Sequence, residues 1–87
     1  MSRLDQLLEE VRLERERQDG KWGGAKHDDS NGPEHWRDMI HAYTNWSWSM
    51  FRMGSRDKWR RRMIQVAALA LAWVESEDRK ISREIGG

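Results

Sequence analysis

The sequence predicts an all-α domain: a three-helix bundle completed by homo-oligomerisation. Three observations lead there. Apolar residues recur at steps of three and four through three segments, and no segment alternates with the period of two that a strand needs. The chain has 87 residues, 37% hydrophobic and 36% charged, so one copy alone buries little apolar surface. It contains no cysteine, which excludes disulfides, Cys-ligated zinc and Cys nucleophiles and leaves self-association as the remedy for a thin core.

The first helix is expected over residues 2–19. Ser2 suits the N-cap, and Leu4, Leu7, Leu8 and Val11 form one stripe before the charged run Glu14-Arg15-Glu16-Arg17. Residues 20–32, with four glycines and the polar string His27-Asp28-Asp29-Ser30-Asn31, read as a loop, pinned onto the helices by Trp22. The second helix is expected over residues 33–53. Asn31 or Gly32 caps it, Pro33 opens it, and Gly54 ends it. Along it Trp36, Met39, Ile40, Tyr43, Trp46 and Met50 follow at helical spacing. The third helix is expected over residues 55–80 with Ser55 as N-cap, and Ile81 to Gly87 as a short remnant or frayed end. From Met63 to Val74 that helix is apolar nearly all round except Gln65, so two neighbours cannot cover it. The uncovered side predicts a subunit interface, most simply a symmetric dimer, with Ala67, Ala68, Ala70 and Ala72 allowing close approach.

The twelve residues from Met63 to Val74 fall well short of the ~20 that a membrane span requires, and no secretory signal is visible. A cytoplasmic protein with no membrane partner is the expectation. Sixteen Lys and Arg against fifteen Asp and Glu leave a net charge of +1, which excludes a partner chosen by bulk charge alone.

Local charge is more informative. The segment Arg56-Asp57-Lys58-Trp59-Arg60-Arg61-Arg62 holds five cations and one aromatic in the first two turns of a helix. It can hold phosphates beside a base stacked on Trp59, or it can be a solvated face pairing with Glu residues of the first helix. Adjacent His27, Asp28 and Asp29 suit a turn better than a metal, because neighbouring residues rarely converge on one ion. His41 and Asn45 share a helix face. No nucleophilic triad, P-loop or dinucleotide fingerprint occurs. The helically spaced aromatics read mainly as core, with Trp22 and Trp59 outside any continuous apolar stripe.

Two stretches carry a family resemblance. Arg15-x-Arg17-Gln18-x-x-Lys21-Trp22-Gly23, followed by His27-Asp28-Asp29, resembles the N-terminal signature of MazG-like proteins encoded by bacteriophages. Met63 to Trp73, with Glu75, Ser76, Asp78 and Arg79, resembles their last core helix. The resemblance implies the all-α nucleoside triphosphate pyrophosphohydrolase fold, built as dimers or tetramers and working in the host cytoplasm. Active members carry EExxE and ExxD motifs whose acids bind Mg²⁺. Here the first motif falls within Met39 to Met50, which has no acid, and the second at Arg62-Met63-Ile64-Gln65. Asp57 is the sole acid between Met39 and Val74.

The expectation is therefore a non-catalytic MazG-like protein without a cofactor that binds a nucleotide or other phosphorylated ligand directly. Its candidate contacts are Lys21, Trp22, His41, Asn45, Trp59, Arg60, Arg62 and Gln65. Two alternatives stand beside it. One is a Mg-dependent pyrophosphohydrolase using the displaced acids Asp28, Asp29, Glu34 and Asp38. The other is a host-protein or nucleic-acid module working through residues 56–62.

Overall fold

The computed structural model describes residues 2–86, so Met1 and Gly87 of the expected 1–87 domain lie outside it. The described residues form four helices: α1 (Arg3–Trp22), α2 (Gly24–Asp29), α3 (Pro33–Arg52) and α4 (Arg56–Gly86). The all-α class holds. None of these helices is long and apolar enough to cross a membrane.

The helix ends follow local chemistry. The Ser2 hydroxyl accepts the Asp5 N–H at 3.1 Å while the Ser2 N–H donates to the Asp5 carboxylate at 3.3 Å, a reciprocal capping box. Gly32 caps α3, with Pro33 at its first position. Gly54, at φ 80°, closes α3 in a Schellman turn in which the Ser55 N–H reaches the Met50 carbonyl and the Gly54 N–H the Phe51 carbonyl.

Two expected boundaries are corrected. Residues 20–32 are not one loop: α1 continues to Trp22, and Gly24–Asp29 wind into a fourth helix. Consecutive left-handed residues, Gly23 at φ 103° and Gly24 at 68°, redirect the chain in two steps and leave no need for a long connection. The last helix runs to Gly86 rather than stopping near residue 80. Lys80 donates to the Asn31 carbonyl at 3.2 Å and Arg83 pairs with Asp29 at 2.7 Å, which ties its final turns to the α2–α3 junction.

α4 is the central element. It packs against α1, α2 and α3, whereas α1 and α3 make no close approach to each other. Its inner face carries Ala68, Leu69, Ala72 and Ser76, all buried. Trp36 of α3 caps the cluster with Leu69 and Ala72, and Trp22, Met39, Ile40, Tyr43 and Trp73 pack around it. The Trp36 and Trp73 rings stack 6.4 Å apart and nearly parallel. Trp22 does pin its segment, but from the last turn of α1. Among the described residues five apolar (Val11, Trp36, Ala68, Leu69, Ala72) and five polar (Gln18, Asp28, Ser47, Gln65, Ser76) are buried, so the core is as thin as the composition implied.

A charged clasp holds α2 to α4. The Asp29 carboxylate accepts from Arg79 at 2.8 Å, from the Ser76 hydroxyl at 2.8 Å and from Arg83 at 2.7 Å. The Arg79 hydrogen bond first, then those of Ser76 and Arg83, hold its pKa far below the usual carboxylate range.

Two predictions follow from this packing. Leu69→Ala removes the side chain at the centre of the cluster and is expected to cost ~2–5 kcal/mol in urea unfolding, whereas Met53→Ala, at an exposed turn, stays within about 0.5 kcal/mol. Equal losses at the two positions would show that the Trp36–Leu69–Ala72 cluster is not the core. For Asp29 the depressed native pKa fixes the sign. Its contribution is complete above the unfolded carboxylate value of ~3.9 and is lost as pH falls from there toward the native pKa. Asp29→Asn should therefore lower the Tm at pH 7 by several degrees, and the gap from the parent protein should narrow below about pH 4. A constant gap across that range would remove the carboxylate charge from the clasp.

Candidate functional site

α2 covers the inner face of α4 only toward its C-terminal half, through Ser76, Arg79 and Arg83. Toward the N-terminal half the same face opens into a cleft of about 440 Å³ lined by Met50, Lys58, Arg61, Arg62 and Gln65. That volume lies within the range of small-molecule sites, ~300–1,000 Å³. The lining has three cations, one amide, one thioether and no carboxylate. Among the described residues none of the three cations has an ion-pair partner, although most other arginines of the chain do.

Arg62 is the best-positioned of the three. Its guanidinium donates to the Gln65 side-chain oxygen at 3.0 Å and lies 5.7 Å from the Tyr43 ring centre and 5.4 Å from that of Trp46. The two rings supply cation–π support from α3 and pre-orient the planar donor fork. Gln65 is buried and uses its oxygen on Arg62, which leaves its amide N–H groups as donors beside the cleft. Three cations and an amide so placed can hold phosphoryl or carboxylate oxygens by charge-assisted hydrogen bonds.

The eight expected contact residues do not form one site. Arg62 and Gln65 are together. Arg60 is engaged elsewhere: it forks onto Glu10 of α1 at 2.7 and 2.5 Å, the helix-to-helix pairing that was the alternative for this segment. The Arg60 hydrogen bond lowers the Glu10 pKa and, reciprocally, that of Arg60 rises. Lys21 and Trp22 sit at the other end of the core, where Lys21 lies over the Trp22 ring at 5.4 Å and Trp22 stacks with His27 at 6.4 Å. His41 and Asn45 are exposed on α3 and line no part of the cleft. Trp59 packs edge-on against Phe51 at 5.4 Å, beside the cleft rather than in it.

Lys58 and Arg61 were expected to act with the basic segment in the nucleic-acid or host-protein alternative rather than as contacts of the phosphorylated ligand, and Tyr43 and Trp46 were read mainly as core. Trp46 is 48% exposed and Trp48 59%, so neither is a core residue. The signal for Tyr43 and Trp46 was present in their three-residue spacing, which places both on the α3 face nearest Arg62.

The acids of the alternative enzyme reading do not fit a Mg²⁺ site. Asp29 is committed to Arg79, Arg83 and Ser76, and Asp28 is buried with the His27 ring nitrogen Nδ1 3.6 Å from its carboxylate. Glu34 and Asp38 stay exposed on α3, with Asp38 paired to Arg37. Among the described residues no three His, Asp or Glu side chains converge on a common point. No family model, curated protein or solved structure matches the chain.

Proposed function

We propose that this chain binds a phosphorylated ligand, a nucleotide foremost, directly and without a metal, and that it is not a hydrolase. One observation carries the reading: Lys58, Arg61 and Arg62 converge with the Gln65 amide in a cleft that contains no acid. Like charges held together repel, and an anion of two or more charges relieves that repulsion while taking up the free donors. Tyr43 and Trp46, already against Arg62, offer aromatic edges beside the phosphate position. The MazG-like pattern of the two sequence stretches supports nucleotides over other phosphates. In a phage-encoded protein of that type, binding without turnover would sequester the ligand or present it to a host protein.

A second reading has its own observation. Lys58 lines both the cleft and the adjoining shallow surface over Gly54–Asp57. There Arg56 lies 4.3 Å from the Phe51 ring centre and exposed Trp48 stacks on Phe51 at 6.0 Å. A cation-flanked aromatic ledge suits the bases of single-stranded nucleic acid.

Thermal shift and calorimetry with nucleoside mono-, di- and triphosphates, with and without EDTA, test the first reading. The expected result is stabilisation that survives EDTA and weakens ~10–100-fold in Arg62→Ala, as for loss of a charged hydrogen bond. Binding that needs Mg²⁺, or no binding to any nucleotide, would overturn it. Short oligonucleotides separate the two readings: tighter binding than mononucleotides, steeply weakened by salt and by Trp48→Ala, favours the ledge.

A further inference from the structure

At the end of the molecule where α3 turns into α4, exposed apolar surface and unpaired positive charge coincide. Met53 stands in the turn and is 75% exposed, and behind it Trp46 and Trp48 are also open to solvent. Ser47, between the two indoles, is buried, and α4 is the helix that α3 packs against. Trp46 and Trp48 each lie ~100° around α3 from Ser47, so they project on opposite flanks of the hairpin. Along the axis they stand ~8–10 Å behind Met53.

Cations surround the same tip. Residues 45–62 hold six Lys and Arg and one acid, Asp57. Arg60 is engaged by Glu10, and among the described residues Arg52, Arg56, Lys58, Arg61 and Arg62 have no ion-pair partner. On one flank Arg62 lies 5.4 Å from the Trp46 ring centre. On the other Arg56 lies 4.3 Å from the centre of the Phe51 ring on which Trp48 stacks. A cation thus stands close to each indole, and the apolar apex lies beyond both.

This order suits the boundary between water and lipid. An apolar apex can enter the acyl region, an indole is at home among the headgroups, and long cationic side chains reach the phosphates. The usual depth of such insertion, ~5–10 Å, agrees with the step from Met53 back to the indoles. A nucleic-acid strand would stack on one flank and make no use of Met53, whereas a bilayer receives the apex and both flanks together. The expectation of no membrane partner rested on the lack of a spanning helix, and contact from one side needs none.

We infer that the α3–α4 tip docks on the surface of a bilayer containing anionic phospholipid, with Met53 inserted and Trp46 and Trp48 at the headgroup level. Met53, Trp48 and Arg56 line no part of the cleft around Arg62, so this does not rest on the nucleotide reading.

Sedimentation with vesicles of phosphatidylcholine, alone or with about one third replaced by phosphatidylglycerol, tests the inference. Binding is expected to the anionic vesicles and is expected to weaken as salt rises. Met53→Ser should weaken it ~tenfold or more, by removing one inserted apolar side chain. Arg56→Ala should weaken it about fivefold, by removing one cation near the surface. Both positions are exposed, so far-UV helicity should not change. Ile85→Ser, at another exposed apolar position ~44 Å along α4 from Arg56, should bind as the parent protein does. No binding to anionic vesicles overturns the inference, and so does binding that Met53→Ser leaves intact. Two other occupants would show themselves in the same samples. Oligonucleotide binding without vesicle binding gives the tip to nucleic acid, and a dimer lost in Met53→Ser without vesicle binding gives it to a second copy. Either result also overturns the inference.

Discussion

Everything else in the structure depends on the inner face of α4. Ala68, Ala72 and Ser76 are small, so the helices around α4 can lie close against it, and Leu69 supplies the one large aliphatic group between them. Because the backbones of α1 and α3 do not come close to each other and both pack on α4, the fold has a hub rather than a ring of mutual contacts. Trp36 and Trp22 compensate by width. A Trp side chain spans space that two aliphatic residues would otherwise fill, and the stack of Trp36 on Trp73 extends the core along α4 without another helix. The six tryptophans thus divide by depth: Trp36 is fully enclosed, Trp22, Trp59 and Trp73 are half-covered, and Trp46 and Trp48 face outward at the basic end.

Where apolar surface runs short, arginine bridges the elements. Arg15 of α1 pairs with Glu75 of α4, Arg60 of α4 with Glu10 of α1, and Arg79 and Arg83 of α4 with Asp29 of α2. Each of these pairs links separate helices, and the planar guanidinium suits two-point contact with a carboxylate. The uneven distribution of acids explains what remains. Between Met39 and Val74 the lone acid is Asp57, so the cations on the inner side of α4's first turns have no carboxylate within reach on α3. Among the described residues Lys58, Arg61 and Arg62 have no ion-pair partner, and all three line the cleft. A near-neutral chain therefore carries a concentrated positive cleft, and that local imbalance is invisible in the net charge of +1.

Much of the fold was legible in the chain because it is dictated locally. Steps of three and four marked α1, α3 and α4, and Ser2, Gly32, Pro33 and Gly54 marked their ends through chemistry that acts within one turn. The turn at Gly23–Gly24 was not legible in the same way. Glycine permits left-handed φ without requiring it, and only the docking of Asp29 onto Arg79, some fifty residues away, makes a short α2 worthwhile. The extension of α4 beyond residue 80 has the same long-range origin in Arg83 and Lys80. The site divides similarly. Arg62 and Gln65 are one turn apart, and the sequence pairs them by spacing alone. Whether Arg60 would join them or turn to α1 depended on which side of α4 each neighbour packs. Two positions rotate a side chain by ~200° around a helix, and that rotation sends Arg60 to Glu10 while Arg62 faces Tyr43.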